Sequence, residues 1–445
     1  MALTHDDLLR PFFDAMKPRA EWRIGAEAEK FGVDAKTGAP IAYDGPRGVL
    51  TVLERLADRH GWKRTEPEKP GGPLIALERD GASVTLEPGS QLELSGAPLA
   101  DIHAICHELS AHLDEVREVT SDLGLAWLGV GFHPFAAQAD LTWVPKARYA
   151  IMREYLPTRG RYALDMMRRT ATVQANFDYA SEEDAMRKMR VSLRLSPLVT
   201  AMFANSPFYE GRPTGERSHR ARVWLDVDPD RQGLVPALWS ATSTLRDYVE
   251  WALDVPMFLV KRGSTVLPNT GQTFRTFWTD GLQGHRATAD DWLLHLNTLF
   301  PEVRLKKTIE VRGADSLPHR LACALPAVWT GVLYDDAALA EAEAFTSDWG
   351  FDEIEALRPD IAQRALRATF RGQPLAAWAE QLIAIARGGL VRRARLSARG
   401  NDESIHLDRL ASLVMRGDSP ADALLHGLPD AGPAQTTEMI LRTLV

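Results

Sequence analysis

The sequence predicts an α+β protein whose functional face is a cupped antiparallel sheet, and three observations carry that expectation. Strand-like and helix-like patterns are interspersed without a regular βαβ rhythm. Several strand-like segments alternate polar and apolar residues with a period of two. Beyond Leu321 the pattern turns mainly helical.

In chain order, Leu3–Met16 reads as a short helix stopped before Pro18, and Trp22–Val33 as a strand. Gly48–His60 reads as a helix because Val49, Val52, Leu53 and Leu56 share one face. The Pro- and Gly-rich Glu66–Pro73 reads as a loop, followed by strands at Leu74–Glu78, Ser83–Leu86 and Gln91–Ser95. Ile102, Ile105, Leu109, Leu113, Val116 and Val119 recur at helical spacing along a long helix, Ala100–Leu123. Ala126–Phe132 follows as a strand, Lys146–Tyr155 as a helix ended by Pro157, and Thr170–Tyr179 as a strand. Ser181 opens a helix whose first turn holds Glu182, Glu183 and Asp184, which suits the positive end of the helix dipole. Arg220–Val227 and Lys307–Arg312 read as further strands. Breaks are expected at Gly388–Gly389 and at Gly417–Pro420, and Asp418-Ser419-Pro420-Ala421-Asp422 has the form of a capped helix start.

The chain has 445 residues, enough for two lobes or one elaborated domain. Hydrophobic residues make up 45% and charged residues 25%, with a net charge of −8 and the basic residues scattered among acidic ones. That balance argues against a nucleic-acid groove or a polybasic membrane patch. No apolar run approaches a membrane span, and the opening residues lack a secretory pattern, so a cytoplasmic enzyme is expected. Cys106 and Cys323 are far apart and outside any CxxC pattern, which argues against a zinc site built on thiolates.

Three of the strand-like segments carry an unusual polar face. It comprises Thr172, Gln174, Asn176 and Asp178 in the first, and Arg220, Arg222, Trp224, Asp226 and Asp228 in the second. In the third it comprises Lys306, Thr308, Glu310 and Arg312. A single such strand is ordinarily a solvated sheet face. Several in one chain, mixing acids with guanidinium groups, suggest a cup for a highly charged ligand. Glu27 and Glu29 share one face of their strand about 7 Å apart, at about 3.4 Å per residue. Like charges that close raise one another's pKa unless a cation intervenes. Glu87 and Glu93 flank a Pro88-Gly89-Ser90-Gln91 turn that brings both toward one place, and Glu310 supplies a fifth carboxylate. Oxygen ligands suit Mg²⁺, and Arg220, Arg222, Arg312 and Lys306 suit phosphate or carboxylate. No GxxxxGK[ST], GxGxxG opening a helix, or GxSxG is present, so a nucleotide would have to be cradled by the sheet.

Several of these segments resemble one family. Trp22-Arg23-Ile24-Gly25-Ala26-Glu27-Ala28-Glu29-Lys30-Phe31 is similar to the opening strand of plant-type glutamate–cysteine ligases, which also occur in bacteria. So are the segments Leu86–Pro98, Ala163–Met167 with Thr170–Phe177, Trp224–Asp226 with Asp228–Arg231, and Glu310-Val311-Arg312-Gly313-Ala314-Asp315. The match extends from about Glu21 to the C-terminal Ser419-Pro420-Ala421 region, and implies a single catalytic domain over 1–445. Its sheet-rich core would span about 20–320 and its mainly helical part 321–445. The resemblance further implies the glutamine-synthetase-like carboxylate–amine ligase fold, with ATP and Mg²⁺ used to join glutamate to cysteine through γ-glutamyl phosphate.

On that resemblance Glu27, Glu29, Glu87, Glu93 and Glu310 are metal ligands, lined by Gln174 and Asn176, while Arg312 and Lys306 meet the nucleotide phosphates. Arg312 and Glu310 would be catalytic, and Arg220 with Arg222 would hold glutamate. The family reads Arg-Ser-His-Ile-Trp where this chain has Arg220-Ala221-Arg222-Val223-Trp224, a departure at the glutamate pocket. Cys106 and Cys323 match positions that the family pairs as a redox-responsive disulfide. The family's second cysteine pair and a transit peptide have no counterpart, so a monomer or weak homodimer is expected. Alternatives are the same ligation serving another thiol pathway such as ergothioneine, another amine acceptor, or an inactive nucleotide-binding relative. His133 reads first as a capping or core histidine.

Overall fold

The eleven-residue strand β1 (Ile24–Asp34) organises the fold. In the computed structural model, which describes residues 3–65, 71–426, 428, 437, 438, 440 and 441, eight further strands join it. They are β2 (Lys63–Arg64), β3 (Ala76–Arg79), β4 (Ala82–Leu86), β5 (Leu92–Ser95), β6 (Leu125–Leu128), β7 (Val173–Phe177), β8 (Val303–Leu305) and β9 (Ile309–Val311). Their order is β8-β9-β7-β1-β5-β4-β3-β2, with β6 paired to the far half of β1, and every pairing is antiparallel.

Register puts the polar residues on one face. Glu29 stands opposite Glu93, Glu27 opposite both Ser95 and Gln174, and Asn176 opposite Glu310. The alternate positions, Ala26, Val84, Leu94, Val173, Ala175 and Ile309, are buried apolar residues. Against the sheet pack α1 (Ile102–Thr120), α2 (Glu182–Met202) and the wholly buried α3 (Ala324–Leu333). Side-chain alternation therefore separates a hydrophobic core from a polar cup on the two faces of one sheet. Among the described residues no helix is long and apolar enough to cross a membrane. Residues 66–70 of the expected loop, and most of the chain after 426, lie outside the described residues.

Two expectations from sequence are corrected. Arg220–Val227 is not a strand: His219–Val223 is a short helix, and turns follow it. Ser218 caps it, its hydroxyl accepting from Ala221 N at 2.9 Å, and the Gln232 side chain takes the Val227 and Asp228 N–H groups. The period-two alternation there was coincidental, since burial follows Arg220 and Val223 at helical spacing. Nor does Gly388–Gly389 break the chain, because α4 (Leu375–Arg393) runs through it. A Cβ at Gly389 would meet Gly331 O at 1.9 Å, so these glycines permit close packing of α4 on α3. The remaining strands and helices lie where periodicity placed them, with ends shifted by a few residues in either direction. Lys306–Thr308 belongs to a turn before β9, as Lys306 N donates to Thr308 O at 3.1 Å.

Candidate active site

One half of the cup gathers four carboxylates. Glu27 and Glu29 leave the polar face of β1, Glu93 faces Glu29 from β5, and Glu87 stands at the turn before β5. That turn closes with Ser90 N donating to Glu87 O at 3.0 Å, with Ser90 at φ 70°. Gln91 anchors it: its Oε1 accepts from Gly89 N at 2.8 Å and its amide donates to Thr170 O at 2.9 Å. The groups bonded to these acids are neutral. Asn176 donates to Glu27 at 2.8 Å, the Thr172 backbone N–H to Glu29 at 2.9 Å, and the Thr85 and Ser95 hydroxyls to Glu93 at 2.6 and 3.1 Å. Among the described residues no ion pair reaches Glu27, Glu29 or Glu93. Burial, then the nearby Glu310 and Glu93, push Glu27 up to about 8. Burial with Glu87 and Glu93 pushes Glu29 well above the usual carboxylate range. This is the environment a divalent, oxygen-seeking cation relieves.

The other half is built around Glu310 and is already neutralised. Arg304, directly across from Glu310 in the β8–β9 hairpin, donates to both of its oxygens at 2.7–3.2 Å. Lys306 Nζ adds a contact at 2.9 Å. Arg312 donates to the same carboxylate and, at 2.7 Å, to Gln174 Oε1. Burial alone would raise the pKa of the fully enclosed Glu310, but Arg304, Lys306 and Arg312 hold it well below the usual range. Three cations gathered on one carboxylate leave positive charge facing the cup, as an incoming phosphate needs.

Arg220 reaches this half from its helix. Its guanidinium donates to Arg312 O at 3.0 Å and Gly313 O at 3.3 Å, and lies 3.9 Å from Asp315. Its Nε and the indole N–H of Trp224 have no hydrogen-bond partner among the described residues. Both side chains line a cavity of about 30 Å³ with Thr200, Glu302, Arg312 and Arg358. Arg222 turns away to pair with Glu216 at 2.8 Å. Asp226 and Asp228 are taken by Arg161 and Arg231. The structure thus keeps Arg222 from the cup and gives it a partner that strand geometry did not suggest.

The family comparison fits this geometry. The family model described as glutamate–cysteine ligase family 2 matches residues 23–442. The chain belongs to that glutamate–cysteine ligase family. A rice (Oryza sativa subsp. japonica) chloroplastic glutamate–cysteine ligase B is 42% identical over 427 residues, covering 95% of this chain and 84% of the rice protein. The Arabidopsis thaliana chloroplastic glutamate–cysteine ligase is 42% identical over 426 residues, covering 95% and 79%. The fold is shared with a crystal structure of a Francisella tularensis glutamate–cysteine ligase in complex with AMP, at a TM-score of 0.59 and 12% identity. That match covers 95% of this chain and 88% of the other.

Within this glutamate–cysteine ligase family chain, sequence reading missed Arg304 and Arg148. Arg304 was within reach of inspection, since the alternating run Lys306, Thr308, Glu310, Arg312 extends back to it by one step. Arg148, on the helix Ala147–Tyr155, acts electrostatically on Glu87 and Glu93, and no pattern in its helix announces this. His133 is the capping histidine expected: its Nδ1 accepts from Ala136 N at 3.0 Å, and burial holds it down to about 3. Cys106 and Cys323 come together with Cα atoms 5.6 Å apart and are joined as a disulfide. That spacing lies in the range of about 4.4–6.8 Å that a bridge needs.

Proposed function

We propose that this protein is an ATP- and Mg²⁺-dependent ligase that joins the γ-carboxylate of glutamate to the amine of cysteine, giving γ-glutamylcysteine for glutathione synthesis. The observation that carries this reading is the divided cup: carboxylates without direct ion pairs, one of them raised well above the usual range, beside a cluster of cations on a chain of this family. Glu27, Glu29, Glu87 and Glu93 fit Mg²⁺ through their oxygen-only donors and mutual repulsion, and would hold it. Bound there, the metal supplies charge that offsets the transferring phosphoryl group.

Arg312, Arg304 and Lys306 face the phosphate oxygens from the opposite side, with Glu310 fixing all three. Arg220 Nε and Trp224 Nε1 are two donors without partners among the described residues, on side chains that line the small cavity beside Arg312, and would suit one substrate carboxylate there. In the first step a glutamate γ-carboxylate oxygen bonds to the terminal phosphorus of ATP and ADP leaves. In the second the cysteine nitrogen bonds to the acyl carbon, phosphate leaves and the amine proton passes to solvent. Preorganised charge rather than a covalent enzyme intermediate supplies the rate.

The test is phosphate release by purified protein given ATP, Mg²⁺ and glutamate with a panel of amines. Cysteine should give the highest rate, with γ-glutamylcysteine found by mass spectrometry. Equal release with cysteine and with buffer would sink the reading, and a preference for another amine would reassign the acceptor.

A further inference from the structure

His406 stands beside the two cysteines. It sits in the 3₁₀ turn Glu403–Leu407 and directs Nδ1 at Cys106 Sγ from 3.3 Å. One ligand atom from each of Cys106, Cys323 and His406 falls within 4.8 Å of the other two. Behind the ring, His406 Nε2 is 2.9 Å from His103 Nδ1, and His103 Nε2 is 3.3 Å from the Arg395 carbonyl oxygen.

That chain fixes the protons. A carbonyl can only accept, so His103 donates from Nε2 and accepts at Nδ1. His406 therefore donates from Nε2 and carries its lone pair on Nδ1, aimed at Cys106. A disulfide sulfur has no proton to give. In the bonded pair, the lone pair faces sulfur with no donor between them.

We propose that the reduced pair Cys106 and Cys323, together with His406 Nδ1, forms a three-ligand site for a thiophilic divalent cation such as Zn²⁺. The sequence argued against a thiolate site because the cysteines are 217 residues apart, and the fold removes that objection by setting their Cα atoms 5.6 Å apart. Two Zn–S bonds of about 2.3 Å at a tetrahedral angle place the sulfurs about 3.8 Å apart, which side-chain rotation reaches from a disulfide. Cys106 and His406 are half-buried, so an ion has access and a fourth position stays open to water. His103 would be the outer partner that orients the ligating ring, as metal-bound histidines ordinarily require.

The chemistry balances simply. A dithiol gives the S–S bond two electrons and two protons and becomes a disulfide itself. A phosphine gives two electrons and becomes its oxide, as water supplies the oxygen and both protons. The metal then displaces both thiol protons to solvent. Metal and disulfide are mutually exclusive staples of the same elements, the helix Ile102–Thr120 and the chain at Cys323 that leads into Ala324–Leu333. Metal-loaded protein therefore resists oxidation of the pair.

The experiment uses full-length protein reduced with a phosphine, desalted without oxygen, and titrated with Co²⁺ and then Zn²⁺. About one equivalent should bind with thiolate-to-cobalt charge-transfer absorption, and Zn²⁺ should bleach it. Oxidised protein and Cys323→Ser should lack the band, and alkylated wild-type protein gives the same comparison without a substitution. His103→Ala should weaken binding about tenfold to a hundredfold, and His406→Ala at least as much. The cup binds through oxygen alone, so ions held there give no charge-transfer band and survive Cys323→Ser. Thermal melting before each titration establishes that the variants are folded. No band in reduced wild-type protein, or equal Co²⁺ affinity in wild type and His406→Ala, would overturn the proposal.

Discussion

The two halves of the cup contain the same residue type in opposite electrostatic states. Glu29 and Glu310 both project from the polar face of one sheet. Glu29 meets a backbone N–H and two further carboxylates, and its pKa rises. Glu310 meets Arg304, Lys306 and Arg312, and its pKa falls. The difference teaches that a run of carboxylates is not automatically a metal site. Among the described residues Glu27, Glu29 and Glu93 form no direct ion pair, whereas Glu310 is paired with Arg304, Lys306 and Arg312. Of the five acids expected from sequence as metal ligands, Glu310 is thus set apart from the other four by its three cationic partners, and the proposed function places it on the phosphate side.

The largest expected effect comes from breaking the neutralised half. Glu310→Gln leaves Arg304, Lys306 and Arg312 crowded without their shared acid, so kcat should fall about a hundredfold or more. Stability should drop by about 3–5 kcal/mol, as when one partner of a buried ion pair is removed, measured by denaturant unfolding. A carboxylate in the other half should behave in the opposite sense. Glu29→Gln removes repulsion, so metal-free protein should melt at a higher temperature, while the Mg²⁺ needed for half-maximal rate rises about tenfold. A lower melting temperature for that variant would contradict the division.

The pH dependence follows from Glu27, whose pKa is raised in the folded state to about 8. A carboxyl raised above its unfolded value contributes stability below the unfolded pKa and loses it as pH rises through the folded one. Metal-free protein should therefore lose stability between about pH 5 and pH 8, and Glu27→Gln should flatten that slope in calorimetry. The smallest effect belongs to Arg222→Ala. Its partly exposed pair with Glu216 is worth about 1 kcal/mol or less, and turnover should be unchanged.

The sheet and its polar face were legible because period-two alternation is a direct consequence of strand geometry, as Gln174, Asn176 and Glu310 illustrate. The same signal misled at Arg220–Asp228, where a Ser218 cap and the Gln232 side chain overrode an alternation of mixed residues. Gly388–Gly389 misled because a helix–helix contact, invisible to local pattern, used glycine for proximity rather than for a break. Charge partnership was the least legible property. Nothing in Glu-x-Glu or Glu-x-Arg says which acid is neutralised, since Arg304 meets Glu310 only through strand register. His406 beside Cys106 is likewise a product of the fold, from positions three hundred residues apart.

The division of the cup is tested most directly by counting tight Mn²⁺ sites in nucleotide-free protein by electron paramagnetic resonance, with Mn²⁺ standing in for Mg²⁺. Glu29→Gln should lose tight binding, whereas folded Glu310→Gln should keep the wild-type number of sites. Retention in Glu29→Gln together with loss in Glu310→Gln would contradict the account.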